Sequence, residues 1–312
     1  MKKIVIFCAL VSLAFVACKK SLENEIVVEP DPVPVVIRGC MDSNSTNYNS
    51  QATEDDGSCT YLASSTVQKR NAVLEEFTGV RCTYCPDGHR KAQALADAHP
   101  GQVVLINVHT GNYATPQTGW PDFTTTLGPV LASISGLTGY PAGQMNRFVY
   151  TSVPSVASYM QGSGTLAMSR SGFQPAGNYQ FTLDASVNIG LKSTFEVATR
   201  LLTVKAELYY TGEETVDNLL NVFLLENNVI GKQIDAGVTN ASYVHKHMLR
   251  ARLTPSDWGT VIPDPAIGNR ISKTYTYTVP STFVIENCDV AAFVTRVDKK
   301  TILNGAEVKA KI

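Results

Sequence analysis

The composition of this 312-residue chain excludes several classes of protein. Its 26 basic and 27 acidic residues leave a net charge of −1, which argues against nucleic acid as a partner. About 290 residues would remain after removal of a signal peptide, and that length suggests two domains, each with ample core.

The N-terminus has the pattern of a lipoprotein signal peptide. Two lysines follow Met1, and the apolar run Ile4–Val16 is too short to span a bilayer comfortably. The run ends at Ala17-Cys18, and a small residue directly before a cysteine resembles the lipobox of bacterial lipoproteins. That resemblance implies that residues 1–17 are removed and that Cys18 carries diacylglycerol. The alternative is an ordinary secretory signal with a chance cysteine. No other stretch is apolar enough to cross a membrane, so the lipid is the only membrane contact expected.

A tether and a small cysteine-bounded module follow. Residues 18–38 contain three prolines and are expected to hold the folded part away from the membrane. Residues 39–61 are too few to bury a core, so we expect a Cys40–Cys59 disulfide to hold them together in an oxidising compartment. The Asp and Asn side chains of this module leave calcium binding open as the alternative to a simple spacer.

Strand and helix patterns alternate from residue 68 to residue 162. The predicted strands are 71–77, 103–108 and 143–150, and the predicted helices are 87–99, 122–133 and 155–160. The segment 110–138 is long and irregular, and it is a candidate cover for any site nearby.

Cys82-x-x-Cys85 is the motif that carries the most chemical information. It follows the predicted strand 71–77 and opens the next helix, where backbone N–H groups and the helix dipole favour a thiolate. Strand, turn, Cys-x-x-Cys and helix together indicate redox chemistry. Zinc is the first alternative, but it usually needs four ligands, and the remaining cysteines are scattered. A permanently oxidised structural bridge is the second alternative.

After residue 162 the hydrophobic period changes to two. The predicted strands are 179–187, 202–210, 219–225, 275–279 and 290–297, which together predict an antiparallel β-sandwich over residues 163–312. Cys288 lies in the strand-like run 287–293, which overlaps the last of these strands, and we interpret it as a buried, inert thiol.

The segment around the two cysteines resembles the start of thioredoxin. Phe77 stands five residues before Cys82, and an acidic residue, Glu76, precedes that Phe. The resemblance implies that Cys82 is the attacking thiol, Cys85 is the resolving thiol, and Glu76 is the buried carboxylate that assists proton transfer at Cys85. The alternative for Glu76 is an exposed strand carboxylate.

Three further residues acquire expected roles from the same resemblance. Pro141 matches the cis-proline loop that faces the disulfide in thioredoxin, and the backbone of Tyr140 would pair with a substrate chain. Arg81 adds a positive charge directly before Cys82, which should lower the pKa of that thiol.

Several motifs are similar to the 28-kDa outer-membrane-protein family of Bacteroidetes lipoproteins. They are Leu74–Pro86, Gly139-Tyr140-Pro141 with Asn146-Arg147, Leu225-Glu226-Asn227 and Tyr243–Arg250. The similarity implies an α/β thioredoxin-like domain over residues 68–162, followed by an all-β, immunoglobulin-like sandwich. It also implies an outer-membrane lipoprotein of the cell envelope.

Two functional hypotheses follow. The first is a lipid-anchored envelope protein whose thioredoxin-like domain exchanges thiols with disulfides of other envelope proteins, while the sandwich binds a surface ligand. The second is a non-enzymatic adhesin or binding lipoprotein in which the Cys-x-x-Cys is structural. We expect no cofactor and no metal. His245 and His247, on one side of an extended strand, are interpreted as surface polar residues rather than as a metal site.

Overall fold

The computed structural model describes residues 35–297 and 300–311, which are mostly β-sheet with few helices. The predicted signal peptide, the lipidation site Cys18 and most of the tether lie outside the described residues. The strands of the described part are β1 (Arg38–Gly39), β2 (Glu54–Asp55), β3 (Ala72–Thr78), β4 (Val103–His109), β5 (Ala142–Met145), β6 (Met168–Ser169), β7 (Val187–Glu196), β8 (Leu201–Tyr210), β9 (Asn218–Glu226), β10 (Val229–Asp235), β11 (Val238–His245), β12 (Met248–Arg252), β13 (Thr260–Ile262), β14 (Arg270–Thr278), β15 (Cys288–Arg296) and β16 (Ile302–Lys309).

Four α-helices accompany these strands. They are α1 (Cys85–Ala98), α2 (Leu127–Ser133), α3 (Pro154–Ala157) and α4 (Phe173–Gln180). None of the helices within residues 35–297 and 300–311 is long and apolar enough to cross a membrane.

One mixed sheet runs through both halves of the chain. Its strands follow the order β16-β15-β9-β12-β4-β3-β5-β6, with β13 also paired to β9. Strands β3 and β4 are parallel and buried on both faces, as the continuous apolar run of β4 predicts. The two halves join where Met248 of β12 pairs with Asn107 of β4, whose N–H donates to the carbonyl of His247. The sheet therefore crosses the predicted domain boundary at residue 162 without interruption.

A second, three-stranded sheet covers one end of the first. Its order is β14-β8-β7, and it packs on β9, β13, β15 and β16 through a shared apolar core. That core includes Val204, Leu208, Leu220, Val222, Val290 and Val294, all fully buried. The period-two alternation of these strands places their apolar side chains between the two sheets.

Most predicted strands are confirmed, and two predictions are wrong. The predicted strand 179–187 is wrong, because residues 179–180 end α4, residues 181–186 form turns and a single bridge, and β7 begins only at Val187. The buried residues of α4 recur at helical spacing and pack on Leu95 of α1. Tertiary packing there outweighs the β propensity of the segment. The predicted strand 143–150 is too long, because Asn146 and Arg147 adopt left-handed backbone angles (φ 49° and 44°) that end β5.

Arg147 forms a buried ion pair at this turn. Its Nε donates to Glu75 Oε2 (2.7 Å) and its Nη2 to Glu75 Oε1 (2.6 Å), and both side chains are fully buried. Gln144 Nε2 also donates to Glu75 Oε2 (2.7 Å). The guanidinium lies 5.1 Å from the centre of the Phe293 ring, so the pair ties β3 to the core shared with the second half.

Asn146 links the same turn to two other strands. Its side-chain oxygen accepts a hydrogen bond from Val73 N (2.9 Å), and its carbonyl accepts one from Ile302 N (2.9 Å). The left-handed turn therefore joins β3 and β16 through buried hydrogen bonds.

The N-terminal module is closed by a disulfide and packs against the rest of the protein. The predicted Cys40–Cys59 disulfide is present, and Lys205 Nζ on β8 donates to the carbonyl of Asn44 (2.8 Å). The module therefore lies against the three-stranded sheet instead of hanging free as a spacer. Nowhere in the described part of the chain do three or more His, Cys, Asp or Glu side chains gather in a metal-binding arrangement. Cys288 is buried and unpaired, as predicted.

We predict that the Arg147–Glu75 pair is strongly coupled in unfolding. Arg147→Met or Glu75→Gln alone leaves a buried polar partner without its counterpart, so each should cost about 3–5 kcal/mol of unfolding free energy. The double variant leaves neither charge and should cost clearly less than the sum of the two. Urea unfolding of the four proteins measures this. Arg38→Met, which breaks an exposed pair with Glu54, is the control and should cost under about 1 kcal/mol. Strictly additive costs would contradict the coupling.

Candidate functional site

The Cys82–Cys85 disulfide lies where the loop after β3 meets α1. The helix begins at Cys85, so Cys82 precedes the first helical turn instead of opening it. Both cysteines are buried, and Cys82 is only 3% exposed. The loop passes so close to the chain that a Cβ on Gly79 would lie 2.4 Å from the carbonyl carbon of Tyr113, which accounts for the glycine there.

Arg81 is held against the segment that follows β4. Its N–H donates to the carbonyl of Tyr113 (3.1 Å), and its Nη2 donates to the carbonyls of Asn112 and Thr115. The guanidinium therefore has defined carbonyl partners next to the cysteine loop.

Glu76 lies beneath α1. Side chains alternate along β3, so Glu75 faces Arg147 while Leu74 and Glu76 face the helix. Glu76 is 1% exposed, and no described residue hydrogen-bonds either of its carboxyl oxygens. Burial therefore raises the pKa of Glu76 well above its ordinary value of 4.5. The alternative of an exposed strand carboxylate is wrong.

Gly88 and Pro141 enclose the Glu76 carboxyl. A Cβ on Gly88, which lies one helical turn after Cys85, would come within 2.3 Å of Glu76 Oε1 and 3.2 Å of Pro141 Cβ. The Tyr140–Pro141 peptide bond is cis. The structure therefore brings Glu76, Pro141 and the first turns of α1 together from three separate elements.

Tyr140 lies on the side of the loop toward Arg81. Its hydroxyl approaches Gly111 closely, and its ring meets that of Tyr113 edge-on, with centroids 5.5 Å apart. Burial raises the pKa of Tyr140 above its ordinary value. Tyr140 and Arg81 thus both contact the segment that follows β4.

The cover over the cysteine loop comes from the β10–β11 hairpin. Gln233 is fully buried, and hairpin N–H groups donate to loop carbonyls. These bonds are Gln233 Nε2 to Cys82 (3.2 Å), Ile234 N to Val80 (2.9 Å) and Ala236 N to Thr83 (3.0 Å). Asp235 adds an ion pair with Arg90 of α1 (3.0 Å). The sequence pattern predicts segment 110–138 as a cover, and this segment does contact the loop through Tyr113, but the pattern gives no prediction of the hairpin. The turn at Ala236-Gly237, between two β-branched runs, was its available signal.

Histidines and aromatic rings fill the space under the hairpin. His89 Nδ1 lies 2.8 Å from the Tyr243 hydroxyl, and the His245 ring contacts those of His109 (5.7 Å between centroids) and Phe123 (4.7 Å). Burial lowers the pKa of His89 to about 3 and that of His245 to about 4, and it lowers the pKa of His109 well below 6.5. These histidines are therefore neutral at neutral pH.

The interpretation of His245 and His247 as surface residues on one strand is wrong. His245 ends β11 and is buried, whereas His247 lies in the turn before β12 with a left-handed backbone (φ 52°). Burial lowers the pKa of His247 to about 4. Only contacts between the two halves of the chain bury these residues, and the local sequence pattern does not contain that information.

We predict that this cluster makes the fold sensitive to acid. A buried His245 with a pKa near 4 protonates less readily than in the unfolded chain, so its stabilising effect is present above pH 6.5 and is lost as pH falls toward 4. Phenylalanine cannot be protonated, so in His245→Phe the decrease in unfolding free energy on acidification should be smaller by up to about 3 kcal/mol. Urea unfolding at pH 7 and pH 4.5 measures it. His99→Phe lies outside the cluster and should leave the cluster's contribution in place. An unchanged acid loss in His245→Phe would contradict the prediction.

Comparison with solved structures finds the same fold elsewhere. HBP35 of Porphyromonas gingivalis is 21% identical, with a TM-score of 0.61 over 78% of this chain and 76% of that one. A domain of the outer membrane lipoprotein Omp28 from Porphyromonas gingivalis is 23% identical over 41% of this chain and 89% of that one (TM-score 0.29). A protein from Agrobacterium tumefaciens is 10% identical over 78% and 96% (TM-score 0.47). No curated protein matches the chain.

A family model identifies the chain more directly. The model described as Outer membrane protein Omp28 matches residues 130–312, which is more than half of the sequence. The match confirms the resemblance to the 28-kDa outer-membrane-protein family and the expected outer-membrane location. This chain belongs to the Omp28 family of outer membrane proteins.

Proposed function

We propose that this protein is an outer-membrane lipoprotein, anchored through Cys18, that exchanges thiols with disulfides of other envelope proteins. In this proposal residues 68–162 form a thioredoxin-like domain, and residues 163–312 form an immunoglobulin-like sandwich that positions a partner or binds a surface ligand. The observation that carries it is that a buried carboxyl, Glu76, and a cis-proline, Pro141, meet at Gly88, one helical turn after Cys85 of the Cys82–Cys85 disulfide.

The strand arrangement around the disulfide supports a thioredoxin-like domain. β3 pairs in parallel with β4 and antiparallel with β5, and α1 follows β3 directly. The cis peptide at Pro141 leads into β5, so the central strand carries the cysteine loop and its neighbour carries the proline. HBP35, with a TM-score of 0.61, supports the fold alone.

The geometry suits a two-step exchange with a substrate dithiol. A substrate thiolate attacks Cys82 Sγ, the Cys82–Cys85 bond breaks, and its electron pair passes to Cys85 Sγ. Glu76, which burial keeps neutral, donates its proton to Cys85. The second substrate thiolate then attacks the substrate sulfur of the mixed disulfide and releases the Cys82 thiolate. The substrate is oxidised and the cysteine pair is reduced; the reverse steps reduce a substrate disulfide.

Exposed aromatic side chains border the loop and offer a surface for a substrate polypeptide. Tyr84, between the cysteines, is 60% exposed, and Tyr113, beside Tyr140 and Arg81, is also exposed. In this proposal the backbone at Tyr140 pairs with the substrate chain, and Arg81 favours the thiolate of Cys82.

One observation favours a second candidate function. The β10–β11 hairpin covers Cys82 and hydrogen-bonds its carbonyl through Gln233. A cysteine so covered suits a structural bridge, and the protein would then be a non-enzymatic adhesin or binding lipoprotein. The reactivity of Cys82 in the folded protein separates the two functions.

We predict that the two cysteines differ in reactivity. In Cys85→Ser the Cys82 thiol is free to attack, so this variant should form one mixed disulfide with oxidised glutathione while folded. Cys82→Ser leaves only the fully buried Cys85 and is the matched control, which should remain unmodified. Mass spectrometry after reaction at neutral pH measures the adducts. If neither folded variant reacts, the structural bridge is the correct interpretation.

The reduction potential of the Cys82–Cys85 pair provides an independent test. An exchanging pair should equilibrate with glutathione or thioredoxin buffers at a potential between about −120 and −270 mV, and the value also gives the direction of exchange. A structural bridge would lie below about −300 mV. The measurement uses the protein without residues 1–18, and a value in the lower range would favour the adhesin function.

A further inference from the structure

A cavity of about 280 Å³ opens behind α1, on the side of the helix that the hairpin covers. We name it the α1 cavity. Its walls are α1, β4 and the segment from Tyr243 to His247 that closes the hairpin. Leu105 and Ala92 form apolar parts of the wall, and Glu76 also lines it. The cavity thus connects the buried carboxyl to the surface through residues of the second half of the chain.

Glu76 has no hydrogen-bond partner among the described residues of the oxidised protein. Neither carboxyl oxygen is hydrogen-bonded by a described residue, although burial keeps the group protonated. A relay through protein side chains therefore does not end on this carboxyl. Any proton that Glu76 gives up must be replaced through open space next to it.

Titratable groups face that space from each element around it. His89 and Arg90 face it from α1, and Tyr243, Lys246 and His247 face it from the second half. His89 and His247 are neutral because burial lowers each pKa, and Asp235 partners Arg90. The walls near Glu76 are therefore uncharged, with neutral polar groups beside the apolar Leu105 and Ala92, while the cations Arg90 and Lys246 are exposed. Such a lining suits small neutral or weakly acidic molecules that carry protons.

We propose that the α1 cavity is the proton entrance of the redox site, through which small acids from solvent recharge Glu76 after it has protonated Cys85. The proposal rests on the exchange function proposed above. Each turnover leaves the Glu76 carboxylate once the Cys82–Cys85 bond has been broken by a substrate thiolate. A solvent acid in the cavity then transfers one proton to Glu76 and leaves as its conjugate base. The second half of the chain would thus complete the site, since it provides one wall of this entrance.

Chemical rescue with imidazole tests the proposal. Glu76→Ala removes the internal acid, so reduction of the Cys82–Cys85 disulfide by dithiothreitol should slow by about 100-fold. Imidazole is small enough for the cavity and titrates near neutral pH. Adding it should restore about tenfold in rate, in proportion to the imidazolium concentration.

Two hairpin variants distinguish the cavity from general buffer catalysis. Val244 lines the cavity and is 45% exposed, so Val244→Trp should narrow the entrance without disturbing a core. Val238, 70% exposed on the same hairpin and outside the lining, gives the control Val238→Trp. Rescue of Glu76→Ala should disappear with Val244→Trp and persist with Val238→Trp. Equal rescue by imidazole in the two hairpin variants would overturn the proposal. So would the absence of any rescue, or a Glu76→Ala variant that dithiothreitol reduces as fast as the wild type.

A second measurement keeps Glu76 in place in case Glu76→Ala does not fold. The infrared band of a protonated carboxyl shifts when its proton exchanges in D₂O. Exchange of the Glu76 band should be slower in Val244→Trp than in Val238→Trp, and equal rates would overturn the proposal. The failure of the exchange function itself looks different: the wild-type disulfide then resists dithiothreitol in the folded protein, whatever the state of the cavity.

Discussion

Two adjacent glutamates on β3 are both buried, but only one of them is hydrogen-bonded, and the rest of the structure depends on that difference. Glu75 faces the core shared with the second half, where Arg147 and Gln144 satisfy its oxygens. Glu76 faces α1, where nothing in the described residues hydrogen-bonds it. A paired buried carboxylate fixes structure, whereas an unpaired one is kept neutral and is available to transfer a proton. The alternation of side chains along β3 thus places a hydrogen-bonded carboxylate on one face of the strand and an unpaired carboxyl, available for proton transfer, on the other.

Because residues from the second half of the chain cover Cys82, any reaction of this cysteine would depend on both halves. Hairpin β10–β11 holds the cysteine loop through Gln233, and it is attached at Asn228 and His247, both with left-handed backbones (φ 57° and 52°). The hairpin forms its own two-stranded sheet and is held to the loop and to α1 by hydrogen bonds and an ion pair. A substrate of Cys82 would have to displace this cover, while the strand pairing of the large sheet could remain intact.

The parts of this fold that the sequence predicts are those fixed by local patterns. The apolar run of β4 and the Cys-x-x-Cys after β3 specify their own elements, because burial of both faces and a helix start leave clear marks nearby. The hairpin cover and the buried histidines depend on contacts between residues some 150 positions apart, such as His89 with Tyr243. The strand predicted at 179–187 failed for the same reason, because packing against α1 favours α4. The burial of Glu76 could be expected only from the thioredoxin resemblance, since one acidic residue in a strand carries no sign of its depth.

The family match and the proposed redox site cover different parts of the chain. The Omp28 model spans residues 130–312, which includes Pro141, Arg147 and the hairpin but excludes Cys82, Cys85 and Glu76. The matched residues therefore include the cover, the cis-proline loop and one wall of the α1 cavity, and the match is silent on the thiols. The structure connects the two parts, because the matched half places a hairpin next to Cys82 and a proline and one wall of an open cavity next to Glu76. The hairpin over Cys82 suits a structural bridge, whereas a bridge that exchanges electrons and protons would use the proline and the cavity beside Glu76.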